Sequence, residues 1–344
     1  FYETFDEDAK IASKILGITL TKRANGAAST VPLAGFPYHA YDQYVYKLLE
    51  SGYKVALCEQ VEDSKMSKGI VKRKVVELLT PGTAINNEFL NSRRNNYLGS
   101  IYIENNVMGF SIIDNSTAEL LCGETNVKNV NDIINQYQIK ELLIPKSQKE
   151  IICSIVKNKI MITTYEDWEV DRISGYNILI KQFKTKSLKG FGLENNFLSI
   201  IAAGACINYI DQNSFGKINH INSITKIEED EFMHLDSFTI KNLEIFDSIS
   251  NNPEATLFEI INNTSTSSGS RLLRNHLLKP LRNIKKINFR LSSITELIEN
   301  PYEYDKISKI LLNVSDIERI IVKVSNDKAN PRDIINLGKS LLLI

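Results

Sequence analysis

The chain opens FYETFDEDAK, which sets an aromatic ring, Phe1, two positions from a carboxylate, Glu3. The plainest reading of Phe1 and Phe5 is one apolar face, since positions i and i+4 coincide on a helix. A projecting aromatic can instead wedge between stacked bases. A carboxylate beside it would be repelled by phosphates, so near a duplex it makes sense only where a base edge donates it a hydrogen bond.

Other chemistry is less well supported by the residues. Gly338, Lys339 and Ser340 end like a phosphate-binding loop, but the glycine needed five positions before Gly338 is Asp333, inside a helical pattern. Asp114 ends its strand alone and Glu119 reads as a solvent-facing strand residue, short of the carboxylate cluster that a two-metal nuclease needs. His39, His220, His234 and His276 lack ligand or triad spacing and read as surface or capping residues. Cys58, Cys122, Cys153 and Cys206 form no CxxC pair, so neither a zinc site nor a disulfide framework is expected, and a reducing cytoplasm fits.

Formal net charge is zero, which excludes a uniformly basic coat, yet two zones are locally basic. Lys65, Lys68, Lys72, Arg73 and Lys74 form one; Arg271, Arg274, Lys279, Arg282, Lys285, Lys286 and Arg290 form the other, without an intervening acid. Such runs are usually solvated faces. The second could touch DNA or make an interdomain contact.

The elements that must position these residues fall into three groups across 344 residues. Residues 1–90 read as a small mixed α/β unit: a helix over Phe5 to Leu16 closed by Gly17, strands in ITLTKR and VPLAGFP, a helix in HAYDQYVYKLLESG, and strands in YKVALCEQV and IVKRKVVELLTPGT. INNEFLNSRRNN reads as a linker. Residues 91–230 begin with three closely spaced strands, YLGSIYIE, VMGFSIID and TAELLCGE, then alternate helix and strand and close on the apolar helix NFLSIIAAGACINYIDQ. That order predicts a ribonuclease H-like α/β layer. Residues 231–344 read as an all-α region. The start without Met and the stop at KSLLLI read as a piece of a longer chain, and no apolar run is long enough for a membrane helix.

Eight ordered segments carry a resemblance: FYETFDEDAK, AGFPYHAYDQYVYKLLESGYKVALCEQ, SKGIVKRKVVELLTPGT, DNSTAEL, GFGLE, LDSFTIKNLEIFDSI, GSRLLRNHLLKPLRN and DIERI. Together they resemble the N-terminal part of the MutS family of bacterial DNA mismatch-repair proteins over nearly the whole chain. The resemblance implies a mismatch-recognition domain at 1–90, a connector domain at 91–230 and the start of a helical core and lever region at 231–344. It implies that Phe1 stacks on a mispaired or unpaired base from the minor groove and that Glu3 hydrogen-bonds that base. It also places Lys22, Arg23, Lys72 and Arg73 against the DNA backbone, Arg23 and Arg73 foremost. Thr4 stands where the family commonly has a larger apolar residue, and His276 where it often has Trp.

The same resemblance implies a full-length ATPase that binds ATP and Mg²⁺ in a C-terminal domain outside this chain, acts as a homodimer, hands over to a repair factor of the MutL type, and works at the bacterial nucleoid. No catalytic residue, metal or cofactor is expected within these residues. Two other functions compete: a ribonuclease H-like nuclease, and a structural DNA binder indifferent to mismatches.

Overall fold

The structure, a computed structural model, describes residues 1–25, 29–62, 71–85, 90–215, 218–227, 232–233, 235–250 and 252–344. His234, Lys65 and Lys68 lie outside the described residues. The first group opens not with a helical turn but with a strand, β1 (Tyr2–Phe5). Asp6 takes φ 52° and turns the chain into helix α1 (Asp6–Leu16). A short acidic side chain tolerates that left-handed conformation better than a bulky one. Asp6, Glu7 and Asp8 then complement the helix dipole, Ala9, Ala12 and Leu16 make the buried stripe, and Gly17 caps the end at φ 68°.

Strands β2 (Thr21–Asn25) and β3 (Ser29–Phe36) complete a three-stranded antiparallel sheet with β3 in the middle. Helix α2 (Tyr41–Glu50) packs against it, and β4 (Val55–Gln60) and β5 (Arg73–Leu79) form a separate antiparallel ribbon. Ala12, Leu16, Phe36 and Leu48 form the core beneath the sheet, with Tyr2 packed against it.

The second group is a six-stranded sheet. Strands β6 (Tyr97–Glu104), β7 (Val107–Asp114) and β8 (Glu119–Asn126) pair antiparallel. Helix α3 (Val130–Gln136), β9 (Glu141–Pro145), α4 (Lys149–Ile155) and β10 (Met161–Tyr165) follow, with β9 parallel to β6 and β10 parallel to β9. The resulting order β10-β9-β6-β7-β8 is the ribonuclease H-like arrangement read from the sequence, extended by β11 (Thr225–Lys226) beside β8. Helix α5 (Arg172–Phe183) crosses α6 (Phe197–Ser214), which lies on the sheet and is buried almost all round. Two-faced burial explains why α6 is apolar without an amphipathic pattern.

The third group is helical: α7 (Ser237–Asn242), α8 (Leu257–Ile261), α9 (Ser267–Leu278), α10 (Ile284–Glu299), α11 (Pro301–Leu311), α12 (Ile317–Ser325) and α13 (Pro331–Leu343). Gly338 and Ser340 lie within α13, and the Ser340 hydroxyl is buried, donating to Asn336 O and accepting from Ser315 N.

Polar contacts, most of them buried, fasten the groups. Arg319 is fully buried and donates to the linker carbonyls of Asn91 and Arg94 at 3.2 and 2.6 Å. Arg271 donates to Ser92 O at 2.8 Å and clasps Asp316 with both terminal nitrogens at 2.7 and 2.8 Å. Glu141, buried on β9, accepts from Tyr209 and Thr163 at 2.7 Å each and sits 3.7 Å from Lys54 of the first group. Lys328 pairs with Glu77 on β5.

Candidate functional site

Strand alternation determines where the opening residues point. Tyr2 faces inward, stacked on Tyr38 and tilted against Phe36 and Tyr41, and its hydroxyl donates to Glu59 on β4. Burial, then the carboxylate of Glu59, raises the Tyr2 pKa, so the phenol stays a donor. Glu3 and Phe5 therefore face outward, and Phe1 precedes them with its ring 84% exposed.

Glu3 lies opposite Gly35 across the β1–β3 ladder. A β-carbon built on Gly35 would come 2.8 Å from Tyr2 O and 3.4 Å from Glu3 Cγ, so only glycine leaves the strands at this spacing. The bare backbone also leaves a groove of about 440 Å³, bordered by Phe1, Glu3, Thr19, Thr21, Leu33 and Gly35. An aromatic ring, a carboxylate and an open apolar floor thus share one face.

Of the four basic residues read from the sequence, the structure brings one to this face. Arg23 reaches from β2 and its Nη1 lies 3.0 Å from Glu3 Oε2. Lys22, its neighbour on the strand, points to the opposite face, paired in register with Pro32. Arg73 opens β5 opposite Gln60 on the separate ribbon, and Lys72 just before it is ion-paired with Glu62 at 3.2 Å. Sequence reading missed Gly35, Tyr2 and the Glu3–Arg23 pair. A glycine inside a strand pattern was the available signal for the first.

Two other readings change. Glu119 is not solvent-facing: at the start of β8 it is half-enclosed, accepts from the Tyr97 hydroxyl at 2.7 Å, and burial raises its pKa. Asp114, fully buried, accepts from Asn95, Asn96 and Ser116, so it is occupied as a structural acceptor. No group of three or more His, Cys, Asp or Glu that could hold a metal occurs among the described residues. His220 is buried rather than on the surface, bridging Asn115 at 2.9 Å and Asn326 at 3.1 Å, and burial lowers its pKa to about 4.

The basic zone beginning at Arg271 is an interdomain joint at its N-terminal end. Arg271 and Arg274 are buried, and Arg274 donates to Gln138 at 2.7 Å while its guanidinium lies 3.8 Å from the Phe246 ring centre. Lys279 sits over Tyr137, 4.5 Å from the ring centre, and burial lowers its pKa to about 8.

Comparison with known proteins adds what geometry alone does not. Family models described as MutS domain I, MutS domain II and MutS domain III match residues 1–88, 96–222 and 238–344. The DNA mismatch repair protein MutS of Flavobacterium psychrophilum is 42% identical over 342 residues, covering 99% of this chain and 39% of that protein. Its counterpart in Cytophaga hutchinsonii is 40% identical over 341 residues, covering 99% of this chain and 40% of that protein. That in Parabacteroides distasonis is 38% identical over 344 residues, covering all of this chain and 39% of that protein. The chain thus spans about two fifths of the length of these relatives. With three consecutive domain models matched in order and this identity sustained end to end, the chain belongs to the MutS family of DNA mismatch repair proteins.

Proposed function

We propose that this chain recognises mismatched or unpaired bases in duplex DNA as the first step of mismatch repair, with Phe1 as the wedge and Glu3 as the group that meets the extruded base. The observation that carries the reading is the alternation at the chain's start: Tyr2 is anchored in the core while Phe1 stands in solvent beside Glu3. A wedge needs that combination. The ring must be free to enter a groove, and its backbone must be rigid enough to push.

A mismatched step is already poorly stacked, so kinking it costs less than kinking a paired one, where each unstacked step costs a few kcal/mol. The protein then reads deformability, and a base–aromatic stack worth about 1–3 kcal/mol is sufficient to choose between the two. Arg73, Lys72 and Lys22 supply sequence-independent contacts to phosphates from outside the face that Phe1 and Glu3 share, and Arg23 supplies one at the defect. The carboxylate cannot add affinity through its charge, so it acts as a discriminator. In the full-length protein this segment would serve a homodimer whose ATP- and Mg²⁺-dependent domain and MutL-type partner act after recognition.

The test is binding of a duplex with one unpaired base and of its matched counterpart, with Phe1 intact or replaced by Ala. Phe1→Ala should weaken the defect complex about 5- to 150-fold, the equivalent of one stack, and leave the matched complex nearly unchanged. Because the ring is 84% exposed, thermal stability should not change. Equal losses on both duplexes would refute the wedge.

A further inference from the structure

We propose that Arg23 is a charge-swapping gate for Glu3: it neutralises the carboxylate in free protein and on ordinary duplex, and releases it to a phosphate only where a defect offers Glu3 a base. The inference rests on the reading of Phe1 and Glu3 given above.

The geometry suits a pair that must break. One guanidinium nitrogen, Nη1, meets one carboxylate oxygen at 3.0 Å, and both side chains keep solvent contact, at 57% and 34% exposure. A single-point, exposed ion pair contributes little and is easily exchanged. A phosphate can accept the whole planar fork of the same guanidinium and is the stronger partner. Gly35 opposite Glu3 provides no side chain to hold or screen it, and Thr21 on the same face is committed, its hydroxyl donating to Leu33 O at 3.0 Å. Lys22 is on the other face of β2 and cannot substitute for Arg23.

The electrostatics follow. A bare carboxylate beside a wedge would repel every duplex and slow the search for defects; the Glu3–Arg23 pair is neutral and does not. At a kinked defect the wedge brings phosphates toward the strand, Arg23 transfers to one of them, and Glu3 accepts a hydrogen bond from the unstacked base. No such base is presented by paired DNA, so there the pair stays closed.

A double-mutant cycle tests this in the full-length protein, using fluorescence anisotropy of a duplex with one unpaired thymine and of its matched form, for wild type, Glu3→Gln, Arg23→Gln and the double variant. If the pair opens only at the defect, each single substitution relieves the cost of opening it and looks milder than the contact it removes. The double variant should then bind the defect about two- to five-fold more weakly than the product of the single effects. On matched duplex the effects should multiply without excess. The excess at the defect should shrink toward one as ionic strength rises, and Arg23→Lys, which keeps the charge, should preserve part of it.

No excess at the defect, or the same excess on both duplexes, would overturn the gate. An effect on folding alone scales both duplexes equally and cannot mimic the expected pattern. If Glu3→Gln leaves the ratio of defect to matched affinity unchanged, the site reading itself fails; if that ratio moves while the excess is absent, only the gate fails.

Discussion

Gly35→Ala tests how tightly the fold dictates the geometry of the opening strand. The added β-carbon would lie 2.8 Å from the carbonyl oxygen of Tyr2, about half an ångström inside an ordinary C···O contact of about 3.3 Å. The clashing atom is backbone, so no rotamer change relieves it. Nor can β1 slide, because the Tyr2 ring is lodged among Phe36, Tyr38 and Tyr41 and its hydroxyl is bound to Glu59. What remains is for β1 to part from β3 at its first residues, at a cost typical of overpacking, about 1–3 kcal/mol. Hydrogen exchange should then quicken at the amides of residues 2–5 while α1 and α2 stay protected. Discrimination against matched duplex should fall by about the value of the one hydrogen bond proposed for Glu3, near 1 kcal/mol or five-fold. Gly338→Ala is the control: a β-carbon there meets nothing within 4 Å, and in the middle of α13 it should stabilise by about 0.5–1 kcal/mol. A Gly35→Ala protein with unchanged exchange and unchanged discrimination would refute the claim that this glycine sets the position of Glu3.

Arg319→Met should destabilise by about 3–5 kcal/mol in chemical denaturation, since it strips the carbonyls of Asn91 and Arg94 of their donors and leaves Asp316 a partner short; a cost under about 1 kcal/mol would show the clasp to be ornamental. His220 gives a pH prediction. Its folded pKa of about 4 lies below the ordinary 6.5, so between these values the unfolded chain binds more protons and stability falls as pH drops, by at most about 3 kcal/mol. His220→Gln keeps hydrogen-bonding capacity without titrating, so its stability profile from pH 6.5 to 4 should be flatter than wild type by that amount; parallel profiles would mean that the imidazole is solvated.

Much of the architecture was legible because hydrophobic periodicity is a local property. YLGSIYIE and VMGFSIID coincide with β6 and β7 residue for residue, and the apolar run beginning at Asn196 is α6. The opening strand was not legible. Over five residues a spacing of i and i+4 satisfies a helix and a strand equally, and the deciding event is one left-handed turn at Asp6. Within the region read as all-α, context also breaks up continuous stretches: SFTIKNLEIFDSI is helical only over Ser237–Asn242, and YDKISKILLNVSDIERIIVKV is divided between α11 and α12.

By itself the sequence determined which residues could do the chemistry: the pairing of Phe1 with Glu3, the family motifs around them, and the succession of elements that carries them. Charge and burial were decided only in three dimensions. Arg23 and Lys22 are adjacent in sequence yet face opposite sides of a strand, and only the first meets Glu3. Arg271 reads as part of a solvated charge run and Arg319 lies in the region read as all-α, yet both are buried because backbone carbonyls from residues 91–94 and the carboxylate of Asp316 converge on them. Side-chain type fixes what a group can exchange with its surroundings, but the partners that make burial tolerable come from distant segments, and only the folded chain brings them within reach.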